Sequence, residues 1–248
     1  MEDGIKGGAE RVLFVLATLA RLERSVSMAD LMAETGLAKS TLYRQLALLK
    51  RWGFIIDRNN EYLPGPMCVP LAWGFEQSSY LRLEARAELE QLSQASNESA
   101  GLLVAVSNQV VCLEMIESRQ PLRCSFVKGR SLPLLKGASA KALLAFMAKD
   151  RRLSVLEDLR QRGLIDAGGR AALEDELARI QAQGYACSVG EVDDGVWGAS
   201  APVFQQSSHA IAVVTLMAPS TRIGDRSGTL IDMTMRVASR ISSRLQSH

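Results

Sequence analysis

Histidine and clustered cysteine are scarce in this chain. There are two histidines, His209 and His248, and four cysteines, Cys68, Cys112, Cys124 and Cys187, none of them in a CxxC pair. Zinc and redox centres need such ligands close together, and a histidine-based triad needs a histidine beside its nucleophile, so no metal and no cofactor is expected. The cysteines read as reduced, mostly buried, small apolar residues. No segment approaches the roughly 18 to 20 uninterrupted apolar residues of a membrane helix. The opening MEDGIKGGAERV lacks the basic-then-apolar order of a secretion signal, so a cytoplasmic location without membrane contact is expected. Excess charge of one sign is also missing. With 29 Lys and Arg against 27 Asp and Glu the net charge is +2, and any nucleic-acid footprint must come from local clustering. Internal repeats and low-complexity tracts are not found.

What is present is 248 residues with 47% hydrophobic and 23% charged side chains, ordinary for a folded protein and long enough for two domains. Residues 8–22 place Val12, Val15, Leu16, Leu19 and Leu22 on one stripe, which predicts a packing helix. Ser27 followed by Asp30 has the form of a capping box opening a short helix, and Gly36 is placed to end it. A second helix follows in AKSTLYRQLALLKRWG, with Leu42, Leu46 and Leu49 inward and polar residues at its start. Helix, glycine-centred turn and helix make a helix-turn-helix. FIIDRNNEYLPG then alternates around Arg58-Asn59-Asn60 as two strands and a tight turn, a wing. Pro64, Pro66 and Pro70 mark a domain boundary, and Trp73 to Ala95 reads as one long helical connector able to pair with a second copy.

From Ser99 on, strands and helices alternate. GLLVAVSNQVVCLEMIE reads as a hairpin turning at Ser107-Asn108-Gln109, LRCSFVKG as another strand, and PLLKGASAKALLAFMA as a small-residue loop entering a helix. Two amphipathic helices, Leu153 to Arg162 and Ala171 to Gln183, are expected on either side of a Gly168-Gly169 break, with Gly184 stopping the second. YACSVGEV, GASAPVF and AIAVVTLMA read as strands, and Ile223 to Leu245 as a closing helix. The fold class is α+β, an antiparallel sheet flanked by helices in a second domain of about 150 residues.

The segment from Lys39 to Arg58 carries Lys39, Arg44, Lys50, Arg51 and Arg58 against the single acid Asp57. Hydroxyls, Arg and Gln at the start of a recognition helix can meet base edges in the major groove, while cations and backbone amides hold phosphates. Arg44 and Gln45 are therefore candidates for bases, Ser40, Thr41 and Tyr43 for phosphates or bases, Lys39 for phosphates, and Arg58 for the backbone or minor groove of duplex DNA. The plainer alternative is a basic solvated face on a three-helix domain. For an enzyme, Glu191, Asp193 and Asp194 sit in a glycine-rich turn where solvated acids are the ordinary outcome, and Ser139 and Ser200 have no visible base. The glycines after Lys136 do not match a phosphate loop.

Over nearly its whole length the chain resembles the IclR-type transcriptional regulators. The resemblance is carried by AERVLFVLATLA, LMAETGLAKSTLYRQLALLKRWGFI, YLPGP, LPLLKGASAKALLAF, GYACSVGEVDDGVWGASAPVF and AVVTLMAPSTRI. It implies a winged helix-turn-helix domain over residues 1–66, a linker helix over 67–97 and a GAF-like effector-binding domain over 98–248. It also implies a homodimer or a dimer of dimers, and a small organic effector, frequently a carboxylic or aromatic acid. By the same resemblance the effector lies against the backbone amides of Ala138 and Ser139, where a helix N-terminus favours an anion, and opposite Ser188, Gly198, Thr215 and Met217. Trp197 and Met115 are further lining candidates, each also a natural core residue. Where the family often has an acid, a Cys and a small hydroxyl residue, this chain has Ser188, Gly198 and Met217, so a larger or more apolar effector than a two- or three-carbon keto acid is expected. Lys136 replaces an apolar residue or His. Ala38 and Tyr43 stand where Pro and His are common, which bears on the operator sequence. The expected function is a ligand-responsive regulator that binds promoter DNA and is not an enzyme; the alternative is a metabolite-binding protein or enzyme using the same pocket.

Overall fold

The computed structural model describes residues 7–22, 24–128 and 131–246, apart from the side chains of 76–78. His248 lies outside the described residues. Two compact units divide at Ser79/Tyr80.

In the first unit α1 (Gly8–Leu22), α2 (Met28–Thr35) and α3 (Lys39–Arg51) enclose Val15, Leu19, Leu31, Leu42, Leu46 and Leu49. The capping box forms as expected: Asp30 N–H donates to Ser27 Oγ at 3.1 Å, and Ser27 N–H to Asp30 Oδ2 at 2.9 Å. Gly36 closes α2 at φ 70°, a left-handed conformation that a side chain would strain, and its N–H returns to Met32 O. The wing is β2 (Ile55–Arg58) against β3 (Glu61–Pro64), with Asp57 opposite Tyr62. Asn59 and Asn60, at φ 56° and 63°, supply a two-residue turn whose twist suits the strands. The short β1 (Val26–Ser27) pairs on the other side of β3. The connector is two helices rather than one run: α4 (Cys68–Ser78) belongs to the first unit and α5 (Tyr80–Ser96) to the second, parted at Ser79, whose extended ψ of 90° breaks the helix.

The second unit is built on a six-stranded antiparallel sheet in the order β6-β5-β4-β9-β8-β7. Its strands are β4 (Ser99–Val106), β5 (Gln109–Ile116), β6 (Ser131–Pro133), β7 (Ala186–Val189), β8 (Val196–Phe204) and β9 (Ala210–Pro219). Strand alternation separates two cores. On one face Leu102, Trp197, Ala199, Val214 and Leu216 pack with Leu89 and Leu92 of α5 and with Leu230, Val237 and Ile241 of α9 (Ser227–Gln246). On the other, Leu103, Val213 and Met217 meet α6 (Ala138–Phe146), α7 (Lys149–Gln161) and α8 (Ala167–Gln183).

Two further expectations are corrected. LRCSFVKG is an unpaired extended loop over its described residues, and the strand lies after it at Ser131–Pro133, facing Gln109 to Val111. Arg123 Nε and Ser125 Oγ both donate to Glu117, so the segment is fastened by side chains instead of a ladder. Gly168-Gly169 is no break: both lie in the first turn of α8, where Gly169 N–H donates to the capping Asp166 Oδ1 at 2.7 Å.

Candidate functional sites

Helix α3 shows one apolar side to the unit's core and another side to solvent. Lys39, Ser40, Tyr43, Arg44 and Arg58 are exposed and Thr41 is half-buried. Lys39 Nζ stands 5.9 Å from the Tyr43 ring centre, and Lys50 is paired with Asp57 at 3.2 Å. Lys39, Arg44 and Arg58 have no ion-pair partner among the described residues. Ala38 precedes α3 with no side-chain cap, which leaves the amides of Lys39 and Ser40 open.

A cavity of about 480 Å³ opens on the α6 side of the sheet. Its floor follows the register: Ser188 pairs with Gly198 and Gly198 with Met217, while Thr215 pairs with Ser200. The Ser200 and Thr215 hydroxyls meet at 2.8 Å and are fully buried, so Ser200 is a structural partner. At the start of α6, Ala138 N–H donates to Ser188 Oγ at 2.9 Å, and Gly137 N–H to Glu191 Oε2 at 3.0 Å. Glu191 Oε1 also accepts from Lys141 Nζ at 2.7 Å, and Lys141 reaches Glu176 at the same distance. Neither the N–H nor the hydroxyl of Ser139 has a partner among the described residues. Phe126, Val127, Leu132 and Val196 add apolar wall, and Arg123 and Asp193 add charge. Burial raises the pKa of the Cys124 thiol in the wall, with Asp193 and Glu98 pushing the same way and Arg222 opposing. The thiol therefore stays protonated and apolar in character.

Residues 76–243 match the family described as bacterial transcriptional regulator IclR C-terminal, and residues 8–56 match the IclR helix-turn-helix domain. The chain belongs to the IclR family. The HTH-type transcriptional regulator XynR of Escherichia coli K12 is 28% identical over 220 residues, 87% of each chain. A solved C-terminal domain of a putative transcriptional regulator from Vibrio cholerae is 35% identical; the match covers 67% of this chain and 99% of that one, with a TM-score of 0.61. A putative IclR regulator from Silicibacter sp. TM1040 shares the fold over 97% of this chain and 96% of its own, at TM-score 0.83 and 22% identity. This protein is accordingly a transcriptional regulator with a helix-turn-helix DNA-binding domain and a C-terminal effector domain.

Within the IclR effector domain the structure gathers Ala138, Ser139, Ser188, Gly198, Thr215 and Met217 around one cavity. It does not bring Trp197 there. Neighbours along β8 face opposite sides, so with Val196 and Gly198 on the cavity side, Trp197 is 2% exposed in the α5/α9 core. Met115 packs in the α6-side core outside the lining, and Lys136 is exposed outside it too. In the helix-turn-helix, Gln45 turns inward. It is 6% exposed, and its Oε1 is buried with no hydrogen-bond partner. Sequence reasoning missed the loop Arg123 to Val127, which lines the cavity. Its residues alternate like a strand in the sequence, and the exposure of Leu122 and Val127 becomes visible only in the fold.

Proposed function

We propose that this regulator works as a cytoplasmic homodimer, or a dimer of dimers, that binds a pseudopalindromic operator and changes its grip when a small organic acid fills the effector-domain cavity. The observation that carries the reading is Ser139, which offers an unspent N–H and hydroxyl at the start of α6 inside a cavity with apolar walls. A helix N-terminus with open donors suits a carboxylate, and a volume near 480 Å³ suits an effector of aromatic size over a two- or three-carbon acid. Duplex DNA is met by Lys39, Ser40, Thr41, Tyr43, Arg44 and Arg58, with Arg44 on base edges and the open amides before Thr41 on phosphate. The working division is a DNA-binding part over 1–66, a connector over 67–97 and a sensor over 98–248. The effector leaves chemically unchanged. It acts only through its differential affinity for the DNA-competent and incompetent states.

Pairing of two copies is supported by α4, where Val69, Leu71, Trp73 and Phe75 are all exposed in the single chain. Footprinting on the promoter beside its own gene, with and without a panel of aromatic and aliphatic acids, tests the whole reading. Protection that one acid shifts is the expected result; no protected site under any condition would overturn it.

A further inference from the structure

Arg123 is a fastened donor with its far end unspent. Its Nε donates to Glu117 Oε2 at 2.7 Å, and Ser125 Oγ donates to Glu117 Oε1 at 2.9 Å. Glu117 is thus held from two sides and in turn fixes the plane of the guanidinium. Nη1 and Nη2 of Arg123 have no partner among the described residues. Arg123 and Ser125 line the same cavity as Ser139, with Phe126, Leu132 and Met217 supplying apolar wall. The cavity therefore holds two sets of unspent donors, one on α6 and one on the loop before β6, and an apolar lining.

We propose that Arg123 contacts the effector directly and reads a second acidic group, so that the pocket selects dicarboxylates with an apolar middle over the matching monoacids. The inference rests on the effector-pocket reading given above. A guanidinium presents paired N–H groups that match a carboxylate, and one already oriented through Nε loses less freedom on binding. Ser139 takes one carboxylate through its N–H and hydroxyl, while Arg123 takes the other. Asp193 also lines the cavity, exposed and without a cation partner among the described residues. It opposes a dianion and sets a ceiling on affinity, which Asp193→Asn should lift more for diacids than for monoacids.

The test is calorimetric titration of the full-length protein with two matched pairs, benzoate against terephthalate and hexanoate against adipate. At least one diacid should bind about tenfold or more tighter than its monoacid, the return of about one added charge-assisted contact. Arg123→Gln should erase that preference while leaving the monoacid Kd within about twofold, and Glu117→Gln, which unfastens the guanidinium, should reduce it in part. Unchanged melting temperatures would show that both variants are folded. Equal affinity for monoacid and diacid in the parent protein, or an Arg123→Gln loss shared equally by both, would overturn the proposal. Monoacids that bind and shift operator affinity with no diacid preference would sink this inference alone. If no acid binds and none shifts the operator complex, the effector reading falls with it.

Discussion

Lys141 Nζ and Glu191 Oε1 meet at 2.7 Å, and the contact ties the first turn of α6 to the loop after β7, fifty residues on. The Lys141 side chain is 9% exposed and holds Glu176 as well, so one ammonium bridges two carboxylates beside the cavity. Removing it leaves both acids partly buried without a counter-charge. Lys141→Met is expected to cost about 3 kcal/mol of unfolding free energy. Glu191→Gln, which keeps the hydrogen-bonding shape, should cost less. Chemical denaturation of the two variants checks the order.

Gln45 and Arg44 should separate cleanly. Gln45→Leu removes a buried, unpartnered Oε1 and is expected to leave operator affinity unchanged while stabilising the protein by roughly 1 kcal/mol. Arg44→Ala should weaken operator binding about tenfold or more and relax preference at one base position. Arg58→Ala should weaken all sequences alike and lower the salt slope by about one. Gel shifts at several salt concentrations measure all three.

Gly137 precedes α6 at φ 87°, and a Cβ built there would lie 2.7 Å from Val192 Cγ2. Gly137→Ala should therefore cost about 1 to 2 kcal/mol and displace the loop carrying Glu191. Thermal unfolding reads the cost, and a weakened effector response in the operator assay reads the displacement.

Acid should loosen α2 in a defined way. Hydrogen bonds from Arg24 first, then from the Ser27 hydroxyl and amide, hold the Asp30 carboxyl far below its ordinary 3.8, and Glu157 is lowered to about 2 by Arg160 and Gln161. A depressed folded pKa gives stability that is complete above the ordinary value and lost as pH falls through the folded one. The melting temperature should stay level from pH 7 to about 5 and then decline. Asp30→Asn should melt lower at pH 7, and its deficit should shrink as the parent is acidified. Circular dichroism melts across that range decide it.

Self-association should depend on α4. Trp73, 65% exposed, sits with Val69 and Leu71 on an uncovered apolar helix. Trp73→Glu is expected to shift sedimentation toward the monomer and to weaken operator binding through lost bivalency, without lowering the affinity of the effector domain for its acid.

The helix-turn-helix was readable because its signals are local. Ser27, Asp30, Gly36 and the Asn59-Asn60 turn each act through backbone geometry within a few residues. Gln45 was misread for a geometric reason. Consecutive helical residues point about 100° apart, so with Arg44 facing out, Gln45 falls in phase with Leu42, Leu46 and Leu49. Trp197 obeys the corresponding rule for strands. The cavity's sheet floor and the α6 start were legible through the family resemblance, whereas the Arg123 to Val127 wall was not. Its alternation imitates a strand, and whether a strand forms depends on a partner's free edge elsewhere in the chain.

Gly198 gives the sheet floor one further property. A Cβ there would meet Ser188 Oγ at 3.7 Å, Ala138 Cβ at 3.8 Å and Leu216 O at 3.9 Å, all ordinary contacts. Alanine can thus enter the cavity without moving backbone. On the effector reading proposed above, Gly198→Ala should therefore narrow the range of acids the cavity accepts while keeping the same frame.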